Sequence, residues 1–533
     1  MSRPAPEATP APARTVPVRF LAAVDPAADG TAGEPAPDTF EAPLTWSQRY
    51  YLAEVDAARA HGRGLNIPRL YRLRPGTSET GTADALRELV ERYEVLRSRV
   101  VRGEAGGAHQ RVHRRGALHL AVHEVPAGTA GERARTVLDA LTAPPLDVTE
   151  CWPLRAALVT EEGRARYLAL AFSHVAVDAY ALVPVSAHLV GRIAEADPVA
   201  RSAPAPDGPA RGPREQAAAE ESPAGERAVQ RALRLAEHAY RHMPPAPGPA
   251  PEAAPEPAPG PAPEPAPGPA AGFQAAAAAT GASARSTAPA PAEPRYRFLR
   301  YRSPALDLAV GAVAARTGQS PAAVLTAAMV ALDAVRTGPV PDDDGTGLTR
   351  YGSVQLISAN RLRPGTAAAV LPLSQPVPCC VDTAGADFHE LVRRTAVASL
   401  RAFRAGGAPP GRLAALLRTV AEERGVRVDA TPTLNYRPRS TALPVRPTTA
   451  AELAAAADRA RAEWTDADPW RASHYLSADV DADGIRLLLQ ADTAVHPPEW
   501  AERWTTALER LLCAAALDPH CPALPAPGAF PTG

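Results

Sequence analysis

The chain has 533 residues, of which 46% are hydrophobic and 22% are charged. A chain of this length supplies roughly two to three ordinary domains with a sizeable core. Its 57 basic and 58 acidic side chains give a net charge of -1, which provides no electrostatic surface for nucleic acid or an anionic membrane. It has no run of about eighteen apolar residues, and its amino terminus lacks the apolar core of a signal peptide. We therefore expect a cytoplasmic protein without a membrane span.

The sequence contains no lysine. This excludes a Schiff-base lysine, a pyridoxal phosphate site of the usual kind and a Walker A loop, because each needs an amine on a flexible stem. The five cysteines match no zinc or redox spacing, and the vicinal pair Cys379 and Cys380 is predicted to be reduced and in the core. The histidines at 109, 113, 119 and 123 have no carboxylate or cysteine at ligand spacing, so we expect no metal site there. We also expect no bound cofactor.

In the first half, residues 1–40 are rich in proline, alanine and aspartate and are predicted to be a disordered tail, with order beginning near Pro43. Apolar residues recur at helical spacing from 86 to 96 and predict an amphipathic helix over 82–99. A turn at 161–163 joins two of the expected strands as a hairpin. The other predicted elements are strands over 119–125, 154–159 and 167–172, and helices over 180–194 and 224–243.

Residues 244–294 are predicted to be a disordered linker. The octapeptide PEPAPGPA occurs at 255–262 and again at 263–270, and such a repeat favours extended polyproline and cannot build a core. A proline-recognising partner is the alternative, but the repeat lacks flanking basic residues. We favour a spacer that is dispensable for chemistry.

The second half again alternates strands and helices, which indicates an α/β protein. Ser320 followed by Pro321 predicts the start of a helix that runs to 335. The other expected elements are strands over 296–301, 354–357, 431–436 and 485–490, and helices over 305–316 and 498–515. The predicted domains are 41–243 and 295–518, with a disordered tail over 519–533.

One stretch carries the chemistry. Residues 168–172 are predicted to be a buried strand that ends at Ser173, His174 and Asp178. A rigid strand fixes an imidazole while the following loop leaves it reachable, so His174 is the first candidate for a general base. The alternative is a core histidine that is satisfied by hydrogen bonds.

The motifs around this stretch resemble those of the chloramphenicol acetyltransferase-like superfamily, whose large members include the condensation domains of nonribosomal peptide synthetases. The family's HHxxxDG reads SHVAVDA here, over 173–179. Further similar segments are LTWSQRYYL at 44–52, RYEVLRSRV at 92–100, PLRAAL at 153–158, ISANRLRP at 357–364 and QPVPCCVD at 375–382. The resemblance covers 40–243 and 295–518, and its first half is the more specific.

Two motif positions differ from the family. Ser173 replaces the first histidine, which in the family is mainly structural, and Ala179 replaces glycine. A nucleophilic Ser173 activated by His174 would be awkward, because adjacent residues on a strand point to opposite faces. Ala179 is tolerable unless its backbone needs a positive φ.

The resemblance implies two α/β sandwich lobes arranged in a V, with the active site in a central channel. It assigns His174 Nε2 as the general base and Asp178 as the partner of an arginine that keeps the catalytic loop in place. Arg97, Arg155 and Arg361 are the candidates for that arginine. A backbone amide just after His174 is expected to be the oxyanion donor.

Three functions compete. The first is a free-standing, monomeric condensation enzyme that joins an acyl or aminoacyl thioester, carried in trans on the phosphopantetheine of a carrier protein, to a small amine or alcohol. The second is an O-acyltransferase that uses coenzyme A thioesters. The third is a catalytically silent scaffold that binds a carrier protein. The donor, the acceptor and the choice of amide or ester stay open at this point.

Overall fold

The structure, a computed structural model, describes residues 12–23, 37–60, 62–103, 107–197, 199, 210–246, 295–336, 340–341, 348–438, 443, 445–467, 469–481, 483–497 and 499–524. The predicted linker lies outside these residues from 247 to 294. The described chain divides into two compact units. Unit 1 runs to Glu226 and also includes Arg361–Leu373, whereas unit 2 runs from Arg227 to Asn360 and resumes at Ser374.

Unit 1 is built on a five-stranded sheet and a three-stranded sheet. Its strands are β1 (Arg14–Leu21), β2 (Thr39–Pro43), β3 (Asn66–Arg72), β4 (Ser98–Arg102), β5 (Ala108–His113), β6 (Arg115–Val125), β7 (Leu154–Glu161) and β8 (Arg164–Ser173). Its helices are α1 (Trp46–Arg59), α2 (Glu79–Arg92), α3 (Ala130–Thr142), α4 (Leu182–Arg192) and α5 (Pro213–Glu221), and α6 (Pro223–His242) crosses the boundary between the units. The strand orders are β1-β6-β7-β8-β3 and β2-β5-β4.

The centre of the larger sheet is the predicted hairpin of β7 and β8, which pair antiparallel. Its two-residue turn consists of Glu162 and Gly163, with φ of 51° and 72°. Positive φ at both central residues gives a turn whose twist matches that of the strands. From Leu168 onward β8 is fully buried, so a single rigid strand leads to Ser173.

Two predictions for unit 1 were wrong. Residues 14–21 are not disordered but form β1, which pairs with β6 along the sheet edge and buries Val18 and Phe20. The helix predicted over 82–99 ends at Arg92, because Tyr93 adopts an extended conformation with φ of -115° and ψ of 104°. A short 3₁₀ turn, Glu94–Arg97, then leads directly into β4.

Unit 2 is built on a seven-stranded sheet of order β13-β12-β14-β16-β17-β9-β15, and β10 and β11 form a separate two-stranded ladder. Its strands are β9 (Tyr296–Arg302), β10 (Val340–Pro341), β11 (Leu348–Thr349), β12 (Tyr351–Ser358), β13 (Gln375–Asp382), β14 (Thr433–Pro438), β15 (Arg461–Thr465), β16 (His474–Asp481) and β17 (Gly484–Asp492). Its helices are α7 (Pro304–Thr317), α8 (Pro321–Arg336), α9 (Phe388–Ala405), α10 (Pro410–Arg424), α11 (Ala450–Ala457) and α12 (Trp500–Leu517).

The core of unit 2 is formed by residues of this sheet and of its helices, and many residues of α7 and α8 belong to it. The predicted start of α8 is confirmed, since the amide of Ala323 donates to Ser320 Oγ at 3.2 Å. The α/β class predicted for the chain is confirmed in both units. Among the described residues no single helix is long and apolar enough to cross a membrane, and only α7 and α8 together, bent by 104°, reach that length and hydropathy.

The predicted tail over 519–533 is partly wrong. Cys521 and Ala523 are buried, and the carbonyl of Cys521 accepts from the amide of Phe388 at 2.8 Å. Residues 525–533 lie outside the described range. Cys379 is buried, as predicted, and its burial raises the pKa of the thiol to about 12.

The packing of β12 on α8 predicts a large effect for one methyl group. A Cβ on Gly352 would lie 2.0 Å from the carbonyl oxygen of Val330, whereas a Cβ on Gly191 in α4 would meet nothing within 4 Å. We expect Gly352→Ala to destabilise the protein by about 1 to 3 kcal/mol, because α8 must move away from the sheet. Gly191→Ala is expected to be neutral or to stabilise by about 1 kcal/mol. Urea unfolding of both variants checks this, and equal midpoints would contradict it.

Candidate active site

β8 ends by turning sharply at Ser173. The amide of Ser173 donates to the carbonyl of Pro153 at 2.9 Å, which continues the sheet, and the carbonyl of Ser173 accepts from the amides of Ala176 and Val177 at 3.0 and 3.3 Å. The chain therefore leaves the sheet in a tight turn within one residue of the strand. This turn places His174 at the rigid end of a buried strand, half-buried itself.

The imidazole of His174 lies flat against the ring of Tyr51. The ring centroids are 3.9 Å apart and the planes differ by 13°. Tyr51 is buried in α1, and the start of that helix is fixed by a capping box between Thr45 and Gln48, which satisfies two of its free amides. The segment 44–52 thus has a physical role, since it presents an aromatic ring to the histidine.

Burial lowers the pKa of His174 to about 4, although the charge of Asp178 and backbone hydrogen bonds at His174 and Val177 act in the opposite direction. Removing an imidazolium from water is costly, so the neutral ring is the stable form in this site. At neutral pH the imidazole therefore keeps a lone pair that can accept a proton.

Asp178 is fully buried, and its carboxylate accepts hydrogen bonds from more than one part of the chain. Its donors include the amide of Ala181 at 2.8 Å, the amide of Leu373 at 2.9 Å and Nη2 of Arg361 at 2.8 Å. The Arg361 side chain is only 8% exposed. A carboxylate with these donors stays ionised although it is buried, because each hydrogen bond favours the charged form.

Arg361 also organises the segment Arg361–Leu373, which belongs to unit 1. Its guanidinium donates to the carbonyls of Thr366, Ala369 and Leu371 at 2.9, 2.8 and 3.0 Å. The apolar side chains of this segment, from Ala369 to Leu373, join the core that contains Phe172 and Val177. The ion pair therefore joins the loop after His174 to a segment about two hundred residues further along the chain.

The three arginine candidates are now separated. Arg361 makes the ion pair with Asp178. Arg97 donates to the carbonyl of His113, and Arg155 donates to the carbonyls of Leu141, in the last turn of α3, and of Pro144 and Pro145 after it. These contacts of Arg97 and Arg155 hold other parts of unit 1 in place.

The two altered motif positions are compatible with the local backbone. Ala179 is not among the described residues with positive φ, so its methyl group causes no strain there. Ser173 is buried, and its Oγ accepts from the amide of Val175 at 3.3 Å. That amide is the first after His174, and its bond to Ser173 Oγ engages the donor that we expected to serve an oxyanion.

The sequence did not reveal Tyr51 or the amide of Leu373 as parts of the site. The aromatic residues of the motif at 44–52 were visible, but nothing showed which side chain they would contact. Leu373 contributes a backbone amide, which no residue pattern encodes. Among the described residues no group of three or more His, Cys, Asp or Glu side chains is placed to hold a metal.

A family model described as Condensation domain matches residues 39–186. No curated protein sequence matches the chain.

Solved structures resemble nearly the whole chain. The X-domain from teicoplanin biosynthesis, solved in complex with OxyB, matches with a TM-score of 0.58 and 17% identity over 94% of this chain and 98% of that one. The first condensation domain of the calcium-dependent antibiotic synthetase, in complex with a substrate analogue, matches at 0.55 and 17% over 91% and 98%. A variant of the starter condensation domain of rhizomide synthetase, in complex with C8-CoA, matches at 0.56 and 16% over 91% and 96%.

These similarities confirm the predicted resemblance. The chain has the chloramphenicol acetyltransferase-like fold of condensation domains, and its N-terminal part, with the motif of His174 and Asp178, lies within the segment that matches the Condensation domain family.

The first prediction for the site concerns Asp178. Asp178→Ala would leave Arg361 as an unpaired buried charge, so we expect a loss of about 3 to 5 kcal/mol in the free energy of unfolding. Glu88→Ala, which removes an exposed ion pair with Arg192, is the matched control and should cost less than about 1 kcal/mol. Thermal melts compare the two. Unchanged melting of the Asp178 variant would show that the pair is not structural.

The second prediction concerns Tyr51. Tyr51→Ala would admit water beside the imidazole, so we expect the pKa of His174 to rise from about 4 toward the ordinary value of about 6.5. Tyr51→Phe keeps the stacked ring and should leave this pKa nearly unchanged. NMR titration of the His174 ring protons measures both. The same pKa in all three proteins would mean that Tyr51 does not shield the imidazole.

Proposed function

We propose that the chain is a condensation-type acyltransferase that moves an acyl or aminoacyl group from a thioester to a small amine or alcohol. The observation that carries this proposal is His174, which is held neutral at the end of β8 between the ring of Tyr51 and a loop that Asp178 fixes. A neutral imidazole at the rigid end of a strand is suited to accept a proton from an attacking nucleophile.

In the proposed reaction, the acceptor nitrogen or oxygen attacks the thioester carbonyl while His174 Nε2 takes its proton. The tetrahedral intermediate then collapses, the carbon–sulfur bond breaks, and the imidazolium returns the proton to the leaving sulfur. A positioned base of this kind contributes about two to four orders of magnitude. Because the pKa of His174 is about 4, the base is weak, and an amine acceptor must arrive in its neutral form.

Asp178 acts through structure in this proposal. Its carboxylate is engaged by Arg361 and by the amides of Ala181 and Leu373, so it fixes the loop, and its charge raises the pKa of His174. It is a positioning residue, and His174 is the catalytic residue.

The donor we propose is a thioester of phosphopantetheine, on a carrier protein that binds in trans. The related starter condensation domain of rhizomide synthetase was solved with C8-CoA, which carries the same arm, so a coenzyme A thioester is the alternative donor. We further propose that the chain acts as a cytoplasmic monomer, without nucleic acid or membrane.

A second function, a silent scaffold that binds a protein partner, is favoured by one specific observation. The Oγ of Ser173, which replaces the first histidine of the motif, engages the first amide after His174, an amide that could otherwise serve an oxyanion. The X-domain, which has the same fold, was solved in a complex with another protein, OxyB.

The deciding experiment replaces the base. His174→Ala should fold normally and lose acyl transfer by at least about a hundredfold, measured with acyl-loaded carrier protein and with acyl coenzyme A against a panel of amines and alcohols. His188→Ala, in α4 of the same unit, is the control and should keep its activity. For the wild type, the acid limb due to His174 should appear only as the pH falls toward 4, because its pKa lies near 4 and the protonated ring is no base. Transfer by the His174 variant at the wild-type rate would refute the proposed role, and a wild type without transfer that still binds a carrier would favour the scaffold.

A further inference from the structure

A second buried ionisable group lies close to the elements that flank His174. Glu220, near the end of α5, is 7% exposed. Its Oε2 accepts from the amide of Trp46 at 2.7 Å, and its Oε1 accepts from Nε2 of Gln216 at 2.9 Å. The mechanism above does not use this carboxyl group, and the motifs of the sequence do not include it.

The amide of Trp46 is the first of α1, the helix that carries Tyr51 against His174. The capping box at Thr45 and Gln48 uses other groups, so Glu220 supplies the acceptor that the Trp46 amide needs. Free amides at a helix start that find no partner when buried destabilise the helix. Glu220 thus fastens α5 to the start of α1.

α5 is also fastened to the segment that holds Asp178. The amide of Arg211, just before α5, donates to the carbonyl of Gly365 at 2.9 Å. Arg363 of the same segment acts on the Glu220 carboxyl by its charge. Gly365 and Arg363 lie within Arg361–Leu373. α5 therefore connects the two elements that position His174: α1, which carries Tyr51, and Arg361–Leu373, which holds Asp178.

Burial raises the pKa of Glu220 to about 7, against the hydrogen bonds of Gln216 and Trp46 and the charges of Arg49 and Arg363, which all lower it. The charged groups that act on it from the packed elements are therefore Arg49 of α1 and Arg363. On α5 itself Glu215 and Glu221 are exposed, and Arg214 pairs with Glu94. Arginine does not titrate near neutral pH, so a change around pH 7 in this cluster comes from Glu220.

We propose that Glu220 is a positioning residue that fastens α5 to α1 and to Arg361–Leu373 while its carboxyl is neutral, and that this fastening weakens when the carboxyl ionises. Gln216 is compatible with the neutral form, because its Nε2 donates to Glu220 Oε1 and the carbonyl oxygen of a neutral carboxyl also accepts such a bond. The consequence for catalysis rests on the proposed function of His174, whereas the docking of α5 does not.

The sign follows from linkage. The raised pKa means that docked α5 binds a proton more tightly than released α5, whose carboxyl has the ordinary pKa. Docking is therefore strongest below about pH 4.5, weakens as the pH rises to about 7, and changes little above that. Over that interval the fraction of molecules in which α5 is released rises by up to about tenfold per pH unit.

Hydrogen exchange followed by mass spectrometry tests the docking directly, on the full chain between pH 5.5 and 8.5 and with correction for intrinsic exchange. In the wild type, exchange in α5, in the first turn of α1 and in Arg361–Leu373 should increase by up to about tenfold per pH unit until about pH 7. Glu220→Gln introduces a neutral isostere, so the exchange rates of all three segments should stay at their low-pH values at every pH. Glu221→Gln, its exposed neighbour on the same helix, should behave like the wild type.

Two outcomes would overturn the proposal: wild-type exchange that does not depend on pH in these three segments, or the same pH dependence in Glu220→Gln as in the wild type. The catalytic consequence is measured as the pH dependence of the acyl-transfer rate. Glu220→Gln should remove the change in rate near pH 7 and keep the fall in rate near pH 4 that belongs to His174. Exchange requires no substrate, so a failure of the proposed acyl transfer leaves the result for Glu220 decisive.

Discussion

The buried ion pair of Asp178 and Arg361 is the interaction on which the site depends. A carboxylate that is 1% exposed costs several kcal/mol to bury, and the cost is offset only when every oxygen finds good donors. Here the donors come from the loop after β8 and from a segment that follows β12 in the sequence. Arg361 also donates hydrogen bonds to carbonyls of that same segment. The loop of His174 and the segment must therefore assemble together.

The parts of the fold that the sequence predicted are those that local physics determines. Alternation, apolar spacing and caps identified β8, α8 and α12, and the hairpin turn followed from Glu162 and Gly163. β1 was missed because its flanks are rich in proline and alanine and because β6, the strand that it pairs with, lies about one hundred residues away. The end of α2 was missed because Tyr93 keeps the apolar spacing while its backbone leaves the helix.

The candidate site shows the same division. The motif identified His174 and Asp178, and the family resemblance implied an arginine partner for Asp178, but Arg97, Arg155 and Arg361 were equivalent in the sequence. Only the tertiary path of the chain distinguishes them. Tyr51, the amide of Leu373 and the carboxyl of Glu220 were hidden for a related reason, since a stacked ring, a backbone donor and a burial-shifted acid are properties of surroundings and leave no pattern of letters.

β1 also bears on how this protein is produced in the laboratory. A gene trimmed to start where the sequence first looks ordered, near residue 40, would omit this strand. The backbone amides and carbonyls of β6 would then form an open edge, and the sites of Val18 and Phe20 would become an apolar groove beside it. Such an edge is a template for pairing with another chain. Low solubility of the shortened protein would therefore reflect the loss of its edge strand and not an unstable core.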